Sequence, residues 1–267
     1  MPGSEGAAYA AEEELSLIAE AAREAGRIAM AHFRRDPEVW WKEGKSPVSQ
    51  ADLEVDRFLQ KALLEERPDY GWLSEETADN KERLAARRTF VVDPIDGTRA
   101  FINGQRQWCV SIAVVEDGRA VAGVLDCPAS GAVFTAHLGG GARRNGEAIG
   151  VRQAGRQLSL AGPKNMLKGL PADVHARVAP YAYVPSLAYR IALVASGALD
   201  ATFIKPASHD WDLAAADIIL SEAGGQIVDG TMRRPHYAGP DPRRGPLAAG
   251  SGRLLEIMAG VIADIAG

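Results

Sequence analysis

Leu15, Ile18, Ala22, Ala25 and Ala29 recur three or four positions apart, which predicts an amphipathic helix over residues 12–33. The stretch "EVWWKEGKSP" that follows has no period and reads as an extended or turning segment. Leu53, Val55, Phe58, Leu59, Ala62 and Leu63 restore the helical spacing from about Gln50 until Pro68, which cannot continue a helix. Beyond Arg88 the period changes. "TFVVD" is a short apolar strand, and "WCVSIAVVEDGRAVAGVLDCP" sets two apolar runs around an Asp117-Gly118 turn, the pattern of a β-hairpin. "SGAVFTAHLGGGARRNGEAI" predicts further strands with a glycine-rich turn at residues 139–141. "SLAYRIALVASGALDATFI" reads as a helix ending near Gly197 and then a strand. "DWDLAAADIILSEAGGQIVD" reads as a helix stopped at Gly224-Gly225 and then another strand. Leu254, Ile257, Met258, Val261, Ile262 and Ile265 mark a closing helix. Helices, then antiparallel-type strands, then alternating helix and strand argue for a layered α+β architecture. The expected division is an α+β subdomain over 1–165 and an α/β subdomain over 166–267, with the boundary inside 150–185.

Composition narrows the class. A chain of 267 residues has room for one large core or two modest ones. Acidic residues outnumber basic ones by 35 to 30, a formal charge of -5, so there is no basic excess of the kind that binds nucleic acid. No apolar run approaches the ~20 residues of a membrane span, and the acidic start "MPGSEGAAYAAEEEL" lacks a signal-peptide core. These features predict a soluble, cytoplasmic protein with a small-molecule substrate and neither nucleic acid nor membrane as partner. The two cysteines, Cys109 and Cys127, sit in strand-like segments and read as reduced core thiols.

The stretch "FVVDPIDGTRAF" runs an apolar strand into two carboxylates, Asp93 and Asp96. Burial and mutual repulsion both penalise such a pair, so a positive partner belongs between them. Pro94 fixes the backbone after Asp93, Gly97 permits close approach, and the Gly97 and Thr98 amides open a following helix where a phosphate fits. A hard divalent cation with oxygen ligands is the simplest common reason for these groups. An acidic surface turn with an N-cap is the alternative for this stretch taken alone. Further acidic positions follow an apolar turn or open helices: Asp52 at a helix start in "SPVSQADLEVD", Glu75 and Glu76 after the turn in "WLSEE", and Asp212 at a helix start in "HDWDLAAAD". Each alone also reads as a first-turn charge or a solvated loop residue. His32, His137, His175, His209 and His236 have no zinc-like spacing, and no serine or cysteine triad competes.

"SPVSQADLEVDRFL", "GWLSEE", "VVDPIDGTRAF", "GGGARRNGEAI" and "DWDLAAADIILSEAGG" occur in the order expected of the inositol monophosphatase superfamily, which the chain resembles from about Glu13 to its end. The resemblance implies a layered α/β/α/β/α sandwich of the inositol monophosphatase and fructose-1,6-bisphosphatase type. It also implies a lithium-sensitive, Mg²⁺-dependent phosphomonoester hydrolase with two or three ions, working as a homodimer. By the same resemblance Glu75, Asp93, Asp96 and Asp212, with the Ile95 carbonyl, are metal ligands. Thr98, paired with Asp52 or Glu75, activates the attacking water, and the Gly97 and Thr98 amides hold the phosphate. Lys42 and Glu76 stand behind the ligands or serve a further metal.

The substrate is less direct. Inositol monophosphatases commonly carry a glutamate seven residues before the aspartate of the "WD" motif, and here that position is Lys205. A cation suits a second phosphate better than a sugar hydroxyl. Arg190 adds another cation near Ser186, a substrate-side position in the family. With "SLAYRIALVASGALDA", these features look most like bacterial 3'(2'),5'-bisphosphate nucleotidases acting on 3'-phosphoadenosine 5'-phosphate. Inositol-1-monophosphatase or a broad sugar-phosphate phosphatase is the alternative. A catalytically weak regulatory or RNA-associated relative is the third reading.

Overall fold

The computed structural model describes residues 2–35, 38–41, 47–179 and 181–266. Helix α1 (Pro2–His32) is followed by a ribbon of β1 (Val39–Trp41) and β2 (Pro47–Ser49), then by α2 (Gln50–Glu66). Strand β3 (Gly71–Ser74), β4 (Arg88–Asp96), the short α3 (Thr98–Ile102), β5 (Cys109–Glu116) and β6 (Arg119–Cys127) come next. Strands β7 (Ala132–His137), β8 (Ala142–Arg144) and β9 (Glu147–Ala148) complete a sheet of seven strands in the order β3 to β9. The hairpin predicted at Asp117-Gly118 is present, and both turn residues have positive φ, 49° and 74°, as a two-residue turn matched to strand twist requires. One pairing departs from the expected antiparallel run: β3 lies parallel to β4, because residues 75–87 carry the chain back to the end of the sheet where β3 began.

The second sheet draws on β10 (Leu158–Ala161), β11 (Val178–Ala179), β12 (Ala201–Ile204), β14 (Gln226–Val228) and β16 (Leu247–Gly250). Its order is β11-β10-β12-β16-β14. Between β10 and β11 come α4 (Lys164–Lys168) and α5 (Ala172–His175); α6 (Leu187–Ala195) precedes β12. A small ribbon of β13 (Ser208–His209) and β15 (Arg243–Arg244) flanks α7 (Asp210–Glu222), and α8 (Gly252–Ala266) ends the chain.

Three apolar clusters define the layers. α1 and α2 bury Ile18, Ala22, Val55 and Leu59 against Phe90, Val92, Val110 and Ile112 on one face of the first sheet. α6 and α7 lie between the two sheets, with Ile191, Ala214 and Ile218 packed among Val91, Leu125, Phe134, Ile204 and Ile227. α8 covers the outer face of the second sheet through Leu255, Met258 and Ile262. This is the layered α+β architecture that the sequence pattern predicts, in the α/β/α/β/α form that the resemblance implies. The central position of α7 explains its apolar character on nearly every face. It approaches β6 so closely that a Cβ on Gly123 would stand 2.5 Å from Ile218 Cγ2 and 2.9 Å from the Ala215 carbonyl. Cys109 and Cys127 are free and buried. Among the described residues no helix is long and apolar enough to cross a membrane.

Candidate active site

β4 is buried along its whole length after Arg88, because helices cover both faces of its sheet. In a regular strand Asp93 and Asp96, three residues apart, would point to opposite faces. The pairing with β5 shifts between them: Asp93 is opposite Ser111, whereas Asp96 is opposite Cys109. The bulge at Pro94-Ile95 adds the residue that returns Asp96 to the face of Asp93, and a bulge is also where a strand tolerates a proline. The Ile95 amide donates to Asp93 Oδ1 at 3.0 Å and fixes that carboxylate.

Asp212 reaches the same place from the first turn of α7, where its Oδ2 accepts from the His209 amide at 2.7 Å. Carboxylate oxygens of Asp93, Asp96 and Asp212 all lie within 4.8 Å of one another. Among the described residues no lysine or arginine pairs with any of the three. Burial pushes Asp93 well above the ordinary carboxylate range, and the charges of Glu75, Asp96 and Asp212 push it further. Burial, then Asp96, does the same to Asp212, against the opposing hydrogen bond from His209. Asp96 is raised to about 6 by burial even though Ser186, Ala188 and Leu187 all donate to it. A converging, desolvated set of oxygen donors that repel one another fits a hard divalent cation.

Asp52 and Thr98 sit beside this cluster. Asp52 occupies the first turn of α2, where its Oδ2 accepts from the Ser49 amide at 2.8 Å and from the Ser49 hydroxyl at 2.5 Å. Its Oδ1 faces the Thr98 hydroxyl at 3.1 Å, and that hydroxyl also lies 3.0 Å from the Ile95 carbonyl. Burial raises Asp52 to about 6, with the Glu75 charge adding to the effect. Glu75 follows β3, with its amide on the Val92 carbonyl at 3.3 Å, and its charge is felt at Asp52, Asp93, Asp96 and Asp212. The Glu76 amide donates to Ser74 Oγ at 3.3 Å. Gly97 takes φ 95° ahead of α3, and a Cβ there would stand 3.1 Å from both the Gln107 carbonyl and Ser186 Cβ. Lys42 lies outside the described residues.

The remaining expected positions divide. Ser186 is fully buried; its hydroxyl donates to Asp96 Oδ2 at 2.5 Å and accepts from the Tyr189 amide. Arg190 is partly buried, with Nη2 on the Phe203 carbonyl at 3.2 Å and Nε without a partner among the described residues. Lys205 is exposed just beyond β12; burial lowers His209, and the Lys205 charge adds a small part to that and a small opposing part at the raised Asp212. His209 stacks on Trp211 with ring centroids 4.4 Å apart.

The inositol monophosphatase family model matches residues 11–265. The chain belongs to the inositol monophosphatase family. It is 31% identical over 225 residues to the 3'(2'),5'-bisphosphate nucleotidase CysQ of Aggregatibacter actinomycetemcomitans, covering 80% of this chain and 84% of that protein. It is 32% identical over 227 residues to an inositol-1-monophosphatase of Rhizobium meliloti, covering 80% and 85%. A solved inositol monophosphatase of Thermotoga maritima superposes with a TM-score of 0.82 at 26% identity, covering 95% of this chain and 98% of that one. As a member of this metal-dependent family the protein is a phosphomonoester hydrolase, and Asp93, Asp96 and Asp212 form a cluster that can hold a metal.

In this phosphatase several residues that shape the site went unread in the sequence. Ser49 orients Asp52, and the "SQAD" spacing of a capping box was its signal. Asp56 and Ser74 hydrogen-bond beneath Glu75, and Arg244 holds Asp210 at 2.5 and 2.8 Å next to the Asp212 turn. The Arg244–Asp210 pair spans 34 residues and has no local signature.

Proposed function

We propose that the protein is a Mg²⁺-dependent phosphatase for substrates that carry a second anionic group, most closely 3'-phosphoadenosine 5'-phosphate. Glu75, Asp93, Asp96 and Asp212, with the Ile95 carbonyl, would hold the metal. The chemistry that Mg²⁺ supplies in such a site is neutralisation of the phosphate charge and acidification of water. The chain's own groups do the rest. The Gly97 and Thr98 amides, at the start of α3, orient the phosphate. Thr98 donates to Asp52, which would leave its oxygen to accept from an attacking water. Asp52, raised to about 6, is basic enough near neutrality to receive a proton and acidic enough to release it. Ser186 holds Asp96 in place from beneath.

The observation that carries the substrate reading is Lys205: an exposed ammonium whose charge reaches Asp212 and His209, at a position where inositol-type relatives carry a carboxylate. Arg190 supplies a second cation whose field reaches Asp96. The likeness to a bisphosphate nucleotidase supports the same reading. The likeness to inositol-1-monophosphatases supports the alternative, a monophosphate of a cyclic polyol. Phosphate release from 3'-phosphoadenosine 5'-phosphate, inositol 1-phosphate and fructose 1,6-bisphosphate, each with and without Mg²⁺, tests it. Mg²⁺-dependent release with the highest kcat/KM on the nucleotide is expected; a clear preference for inositol 1-phosphate overturns the substrate reading.

A further inference from the structure

Asp56 stands four residues after Asp52 on α2, so the two carboxylates lie one above the other on the same buried face, about 6 Å apart along the axis. Asp52 faces Thr98. Asp56 faces the segment that bears Glu75: its Oδ1 accepts from the Ser74 hydroxyl at 2.5 Å and its Oδ2 from the Thr77 hydroxyl at 2.6 Å. The two residues that it grips bracket Glu75 and Glu76. Ser74 Oγ in turn accepts from the Glu76 amide at 3.3 Å, and Thr77 Oγ1 accepts from Trp72 Nε1 at 3.4 Å. Asp56 is buried, and each of its carboxylate oxygens is taken up by one of these hydroxyls.

We propose that Asp56 is a positioning residue that sets where Glu75 stands relative to Asp93 and Thr98. The segment 75–77 leaves the sheet at the end of β3, where the ladder to β4 stops. The Glu75 carboxylate is repelled by Asp93, Asp96 and Asp212. A charged acceptor that takes two hydroxyl hydrogens at once holds the segment against that repulsion, with short, charge-assisted bonds. α2 thereby ties two parts of the site to one rigid element: Thr98 through Asp52, and Glu75 through Asp56. This inference rests on the reading of Glu75 as a metal ligand.

The test measures Mn²⁺ affinity by titration calorimetry and metal-free thermal stability side by side. Asp56→Asn offers one acceptor where two hydroxyls each need one, and Thr77→Ala removes one of the two donors. Partners behind metal ligands typically shift affinity by about ten- to a hundredfold, and a loss in that range is expected for Asp56→Asn, with a smaller one for Thr77→Ala. Thr77→Ser keeps the hydroxyl and should recover the wild-type affinity. Wild-type affinity in folded Asp56→Asn, even with a lowered Tm, overturns the clamp. If Asp56→Asn does not fold, unchanged affinity in Thr77→Ala overturns it equally. A wild-type protein that binds no Mn²⁺ overturns the metal reading itself, and the clamp with it.

Discussion

The Thr98 hydroxyl lies 3.1 Å from Asp52 Oδ1 and 3.0 Å from the Ile95 carbonyl, and all three groups are buried at the edge of the acidic cluster. One hydrogen serves two acceptors, so the oxygen's lone pairs are left to accept a hydrogen bond. Thr98→Ala should therefore lower kcat by about a hundredfold or more while leaving Mn²⁺ affinity near wild type. Thr98→Ser should recover most of the rate. A Thr98→Ala enzyme with nearly normal kcat would remove Thr98 and Asp52 from the proton path.

Asp93→Asn and Asp212→Asn should each abolish most activity at moderate Mg²⁺. They should also raise the Tm of the metal-free protein, because each removes one charge from a buried cluster in which carboxylates push one another's affinity for protons upward. Scanning calorimetry after exhaustive chelation reads this directly. A lowered metal-free Tm in both variants would mean that the carboxylates are structural acceptors first.

The pH dependence of metal-free stability follows from the same groups. Asp52 and Asp96 are raised to about 6, and Asp93 and Asp212 are raised well above the ordinary carboxylate range, all chiefly by burial. At these four carboxylates the folded state therefore binds more protons than the unfolded chain, and their contribution to stability falls as pH rises. The contribution of Asp52 and Asp96 is fully present below the ordinary carboxylate value of 3.8 and is lost progressively as pH rises from there through about 6. Asp79 and Asp200 are held below the ordinary value, against burial, by Arg83 and Arg152, so they act only in more acid solution. The metal-free Tm should decline between pH 5 and pH 7, and a saturating divalent cation should flatten or reverse the decline. A metal-free Tm that climbs across this interval contradicts the assignment.

Ser186 connects the second sheet's helix α6 to Asp96, through its hydroxyl and the amides of Leu187 and Ala188. Ser186→Ala removes a bond that favours the charged form of Asp96, whose value is already about 6. Mn²⁺ binding should weaken, and its pH dependence should move to higher pH, because the metal then competes with a more tightly held proton. Mn²⁺ titrations at several pH values distinguish this from simple loss of packing, which lowers Tm without moving the pH profile.

Much of this arrangement was legible in the sequence because it is written in local pattern. The Asp117-Gly118 hairpin, the α2 start at Gln50 and the long α7 are set by turn chemistry, capping and period over a few residues. The acidic positions Asp93, Asp96 and Asp212 were legible as clusters, but their convergence was not. It depends on a one-residue bulge at Pro94-Ile95 and on α7 packing between two sheets, both tertiary facts. Strand β3 and its parallel pairing with β4 were missed because four residues ahead of "EE" show no period and read as an apolar turn. Asp56 was missed because a carboxylate on a helix reads as solvated until the partners beneath it are known.

The substrate claim turns on Lys205. Lys205→Glu restores the residue type of inositol-like relatives and places a carboxylate where a second phosphate would approach. Loss of a charge-assisted hydrogen bond costs about 1.5–3 kcal/mol, or roughly ten- to a hundredfold in relative specificity, and repulsion adds to that. The measurement is the ratio of kcat/KM for 3'-phosphoadenosine 5'-phosphate to that for inositol 1-phosphate, in wild type and in Lys205→Glu. The account predicts a wild-type ratio above one that falls by at least about tenfold in the variant. A ratio that does not change, or that moves toward the nucleotide, would contradict it.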